Sequence, residues 1–118
     1  MRTYVRVSIK GSPYKWFTDA LDRRDLAGAL SESKGMRLGL ADALSLVILM
    51  IEQRDPRCER WAAWWVARLI TERRTVTLAG VDQAVVALVS LLDAEEEASL
   101  RMVALCDALE LRNVRGLD

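Results

Sequence analysis

The sequence predicts an all-α fold of five or six helices, arranged as a compact bundle or as stacked helical hairpins. The chain has 118 residues, the length of one domain, and 52% of them are hydrophobic. Only 6 glycines and 2 prolines interrupt the pattern. Because the apolar residues are mainly Ala, Leu and Val, close helix packing is favoured.

The N-terminus is the one segment with the period of a strand. Val5, Val7 and Ile9 alternate with polar residues, as in a half-buried strand. A lone strand pairs with another molecule, lies along the helices or stays disordered. We predict an extended arm over residues 1–11, or an intermolecular pairing.

Two short helices are predicted after this arm. Ser12, followed by proline, is a natural N-cap and predicts a helix over about 13–22. Asp25 is suited to cap a second helix that runs to about Lys34. Gly35 fits the left-handed position that ends many helices.

Four longer helices follow, of which the first two are expected at the centre of the domain. The pair Asp55-Pro56 and Thr77 supply the start signals of the second and third of these. We expect a single α-helical domain over 12–113 and a frayed end over 114–118. The four helices are predicted at about 38–53, 56–73, 78–92 and 94–112.

A faint repeat of about 40 residues links two of these helices, LGLADALSLVILMI from Leu38 and LAGVDQAVVALVSLL from Leu78. It places Asp42 and Asp82 at matching positions. Repeat proteins stack helix pairs in this way. Amphipathic hairpins in a compact bundle give a similar pattern, and we favour the bundle slightly.

The stretch CERWAAWWVARLI contains three of the four tryptophans. At the helical spacing of 100° per residue, Trp61 and Trp65 join the core stripe and Trp64 does not. Trp and Arg are enriched at binding hot spots, so the face around Trp64 predicts a partner-binding surface. The alternative is that Trp64 packs under another helix of its own chain, with an arginine stacked on its ring. The arginines of this face are Arg57, Arg60 and Arg68.

The last predicted helix is apolar on two sides. One stripe suits the core, and the second consists of Leu100, Ala104 and Leu111. A terminal helix that is apolar on two sides packs one side on its own domain and the other on a second apolar surface. The partner subunit of a homodimer is the simplest source of that second surface. Enclosure between the predicted fourth and fifth helices is the alternative.

The charges balance overall but are unevenly distributed. Residues 1–40 carry eight Lys or Arg and four Asp or Glu, whereas residues 81–118 carry three and eight. This asymmetry could favour head-to-tail self-association. The basic N-terminal third makes a nucleic-acid-binding regulator the alternative function. Its candidate phosphate contacts are Arg2, Arg6, Lys10, Lys15, Arg23 and Arg24.

Catalysis finds little support in the residue types present. The chain contains no histidine, which removes the commonest general base and metal ligand. Cys58 and Cys106 form no CxxC pair and are expected as buried thiols in a reducing cytoplasm. No apolar run is long enough for a membrane span. We therefore predict a non-enzymatic protein–protein interaction module, a homo-oligomer or small adaptor, without metal or cofactor.

The segments DALDRRDLAGAL and DPRCERWAAWWVARLITERRTVTLAGVDQAV resemble small Ala-, Leu- and Arg-rich helical proteins of high-GC actinobacteria. The resemblance covers about residues 13–92 and rests on cadence and spacing. It implies a helical fold. Those proteins have no assigned activity, so no functional residue carries over.

Overall fold

The computed structural model describes residues 12–73 and 75–117, and the regular structure of these residues is entirely helical. This confirms the predicted all-α class. The arm expected over 1–11 lies outside the described residues. The six helices are α1 (Pro13–Asp22), α2 (Leu26–Ser33), α3 (Leu40–Glu52), α4 (Cys58–Glu72), α5 (Leu78–Leu92) and α6 (Ala98–Ala108).

The chain divides into two compact units, and the single domain expected over 12–113 stays a prediction. The first unit ends at Leu38 and the second begins at Gly39. Helices α1 and α2 belong to the first unit and pack against each other. Helices α3 to α6 belong to the second unit, which contains all the predicted partner-binding residues.

Both helices of the first unit begin at the predicted N-caps. The Ser12 hydroxyl accepts a hydrogen bond from the backbone N–H of Lys15 at 3.2 Å. The Asp25 carboxylate accepts one from Gly28 at 2.9 Å. The prediction that Gly35 adopts the left-handed conformation is wrong, because Gly35 does not have a positive φ. In the described part of the chain, the glycine with a positive φ is Gly116. The chain instead leaves α2 through right-handed Lys34, whose N–H donates to the Ser31 carbonyl.

The second unit consists of two successive hairpins, α3 with α4 and α5 with α6. Helix α5 packs against both α3 and α4 as well as α6. The ends of α3 and α5, Glu52 and Leu92, are 40 positions apart, as are the starts of α4 and α6, Cys58 and Ala98. These helix boundaries therefore recur at the spacing of the predicted repeat. This order of contacts is the one that stacked hairpins make.

The two hairpins share the same turn, and each turn uses a residue other than glycine in the left-handed conformation. Arg54 has φ 54° and Ala94 has φ 55°. The following N–H groups donate back to the last helical turn, from Asp55 to the Met50 carbonyl and from Glu95 to the Ser90 carbonyl. These are the hydrogen bonds of a left-handed helix cap.

These caps explain why the sixth helix is shorter than the predicted 94–112. The left-handed Ala94 ends the preceding helix, so the next three residues form a turn before Ala98. At the other end, left-handed Glu110 has φ 55° and ends the helix after Ala108.

Helix α3 is covered on every side. Leu40 and all residues from 43 to 50 are buried. The Ser45 hydroxyl accepts a hydrogen bond from the Arg115 backbone N–H at 2.9 Å. Residues 114–117, expected to fray together with residue 118, are half-buried. This described part of the C-terminus is thus attached to α3.

Candidate interaction surfaces

The three tryptophans of α4 have three different environments. Trp65 is fully buried, and its indole N–H donates to the Leu40 carbonyl at 2.9 Å. Trp64 is 40% exposed, so it is not enclosed by its own chain. Trp61, expected in the core, is half-buried and packs edge-on against Trp64, with ring centroids 5.2 Å apart. Trp61 and Trp64 thus form one aromatic pair at the edge of the core.

The arginines around Trp64 are engaged to different degrees. The guanidinium carbon of Arg68 lies 5.3 Å from the centroid of the Trp64 ring, and Arg68 also pairs with Glu72. The alternative prediction placed Trp64 under another helix with an arginine stacked on its ring. The stacked arginine is present, as Arg68, but the Trp64 ring is exposed. Arg57 pairs with Asp55. Arg60 is exposed and has no ion-pair partner among the described residues. We call the set Arg57, Arg60, Trp64 and Arg68 the tryptophan surface.

The Arg57–Asp55 pair closes the turn before α4. Two guanidinium nitrogens of Arg57 donate to the two carboxylate oxygens of Asp55, each at 2.9 Å. The backbone N–H of Arg57 donates to the same carboxylate at 2.8 Å. The side-chain hydrogen bonds from Arg57, followed by the backbone one, lower the pKa of Asp55 to about 2.

The Arg57→Ala variant is expected to raise the pKa of Asp55 toward its ordinary value. The rise should be partial, because the backbone N–H of residue 57 remains. A carboxylate with a lowered pKa stabilises the fold above its ordinary pKa, and this contribution is lost as the pH falls through about 2. NMR titration of the Asp55 carboxyl checks the shift. An unchanged pKa in the variant would contradict the role given to the Arg57 side chain.

The second predicted surface lies on the outward side of α6. Leu100 is 72% exposed, and Val103 and Ala104 are exposed beside it. Leu111 does not extend this stripe as predicted, because it follows left-handed Glu110 beyond the helix end and is half-buried. We call Leu100, Val103 and Ala104 the α6 surface.

Acidic residues border the α6 surface. Glu96 and Asp107 are exposed and have no ion-pair partner among the described residues. Glu95 and Glu97 both pair with Arg101, whose guanidinium also donates to the Ser90 hydroxyl. Arg101 thus compensates part of the charge of Glu95 and Glu97. Because Glu96 and Asp107 are not compensated, the net charge near Leu100 is negative.

A third apolar surface, which the sequence analysis missed, is a groove of about 340 Å³ between α4 and α5. Small side chains on α4 leave space opposite the valines of α5. Glu59 is the charged residue of the lining. The other lining residues are Ala62, Ala63, Val66, Val85, Leu88, Val89 and Leu92.

The basic residues proposed for phosphate contacts are only partly described. Lys15 and Arg23 each lie beside an acid, Asp19 at 3.5 Å and Asp25 at 3.6 Å. Arg2, Arg6 and Lys10 fall outside the described residues. Because these ion pairs compensate charge that phosphate binding would use, no structural observation favours the nucleic-acid-binding alternative, which stays a prediction.

The described residues show neither a membrane-spanning helix nor a metal-binding group. Within residues 12–73 and 75–117, no helix is long and apolar enough to span a bilayer. The same residues contain no group of three or more His, Cys, Asp or Glu side chains arranged to hold a metal ion.

Comparisons with protein-family models, curated proteins and solved structures found no match.

Proposed function

We propose that this chain is a cytoplasmic, non-enzymatic protein–protein interaction module that associates with itself. The observation that supports this most is the exposure of large apolar side chains on three successive helices of the second unit. Large apolar areas on a protein surface mark protein interfaces. The side chains are Trp64 and Ile70 on α4, Leu78, Val85, Val86 and Val89 on α5, and Leu100 and Val103 on α6.

Self-association is preferred to an adaptor role because of the position of the α6 surface. Leu100, the most exposed large apolar side chain of α6, lies on the outer side of the hairpin that α5 and α6 form. A second copy of the same chain is the simplest cover for an apolar side chain exposed at this position.

The cysteines support a structural role and a reducing compartment. Cys58 and Cys106 are both free thiols. Burial, followed by the nearby Asp107 carboxylate, raises the pKa of Cys106 to about 11. The reactive thiolate is therefore disfavoured at neutral pH, and Cys106 acts as a small apolar side chain.

The Leu100→Glu variant is expected to weaken self-association by about tenfold or more, because an apolar contact is replaced by a charge. Sedimentation equilibrium measures the association constant, and circular dichroism confirms that the helices persist. Ala27→Glu is the matched control, since Ala27 is an exposed apolar residue of α2, outside the second unit and its apolar surfaces. A folded Leu100→Glu variant that associates like the control would contradict the proposal.

A further inference from the structure

We infer that the tryptophan surface of one copy binds the α6 surface of the next, so that copies associate head to tail. The inference rests on the proposed self-association and names the two faces that meet. Trp64 and Leu100 are both exposed within one copy. Each surface is therefore available to another molecule.

The two surfaces carry opposite charge. On the tryptophan surface, Asp55 and Glu72 compensate the charges of Arg57 and Arg68, and Arg60 leaves an excess positive charge. On the α6 surface, Glu96 and Asp107 leave an excess negative charge. Pairing either surface with a copy of itself would bring like charges together, whereas pairing one with the other is attractive.

The residues that carry the excess charge can also meet. Arg60 lies on α4 and Asp107 on α6, each on the same helix face as the apolar side chain of its surface. In an antiparallel arrangement of the two helices, Arg60 of one copy therefore lies opposite Asp107 of the next.

The same register brings the apolar residues together. With Arg60 opposite Asp107, Trp64 falls opposite Val103, one helical turn from Leu100. The small Ala104 side chain beside Asp107 leaves room for the arginine stem. A central aromatic–aliphatic contact with charges at the rim is the usual composition of a protein interface.

Complementation between two variants tests this pairing. Trp64→Glu and Leu100→Glu each disable one surface, so each variant alone should sediment as a monomer of 13.3 kDa. An equimolar mixture retains one intact surface of each kind and should form a 1:1 dimer that grows no further. Ala27→Glu, which keeps both surfaces, is the control: mixed with either variant, it should form species larger than a 1:1 dimer.

The outcomes separate this inference from the proposed function. If either variant alone still dimerises, or if the two folded variants fail to combine, the head-to-tail pairing is overturned while wild-type association can stand. If the wild-type protein is itself monomeric, the proposed self-association fails as well.

A charge exchange provides a second test that adds no charge to an apolar position. Arg60→Glu and Asp107→Arg should each weaken association by about tenfold. The chain carrying both changes should regain most of that loss, because the opposite signs are restored across the interface. Additive losses in the double variant would overturn the pairing.

Discussion

The Trp65→Ala variant is expected to lose about 3–5 kcal/mol of unfolding free energy, because a large buried ring is removed and a cavity remains. Trp65 is the tryptophan that is 0% exposed, and its indole N–H joins the middle of α4 to the Leu40 carbonyl at the start of α3. Such a loss is a large part of the stability of a small domain. Urea unfolding followed by circular dichroism measures it.

Trp64→Ala is the control for this prediction, since it removes the same side chain from the same helix. We expect a loss of about 1 kcal/mol, from the edge contact with Trp61 and the stacked Arg68. Both variants are compared at a concentration at which the protein is monomeric, so that association does not add to stability. Equal losses would show that the assigned environments of Trp64 and Trp65 are incorrect.

Glycine at three helix ends is expected to stabilise the second unit by about 2 kcal/mol in total. Arg54, Ala94 and Glu110 all have φ near 55°, where a Cβ atom is strained. Replacing each with glycine relieves that strain, and the gain exceeds the added freedom of the unfolded chain. The three sites lie at separate helix ends, so their effects should add.

Alanine at two of these positions separates backbone strain from the loss of a side chain. Arg54→Ala and Glu110→Ala remove the charged group but retain the Cβ atom, so neither should stabilise the protein. Thermal and urea unfolding compare each alanine variant with its glycine counterpart. A gain from alanine equal to that from glycine would contradict the strain argument.

The starts of α1, α2 and α5 could be predicted because a local side chain caps each of these helices. Ser12 and Asp25 accept hydrogen bonds from N–H groups of the first turn, and Thr77 does the same for Gly80 at 3.1 Å. These signals lie within four residues of sequence and need no tertiary contact. The order and type of the helices follow from them and from the apolar spacing.

The left-handed positions after three of the helices could not be predicted in the same way. A left-handed cap is ordinarily recognised by glycine or asparagine, and Arg54, Ala94 and Glu110 carry no such signal. The one glycine that did suggest a cap, Gly35, does not adopt this conformation. The error of several residues in α6 follows from this, and so does the misplacement of Leu111.

The candidate surfaces were predicted in part. Helical spacing correctly separated buried Trp65 from exposed Trp64, but Trp61 lies at the margin of the core stripe, where spacing alone does not decide burial. The groove between α4 and α5 was missed because α5 is apolar around most of its circumference. The available signal was Val85 and Val89 at i and i+4 opposite small residues of α4.

The mass of the wild-type protein in solution tests the central claim, self-association, most directly. Multi-angle light scattering on a sizing column, over a wide range of loaded concentration, should give a mass that rises above the 13.3 kDa of one chain as concentration increases. A mass that stays at that of one chain at the highest concentration would contradict self-association.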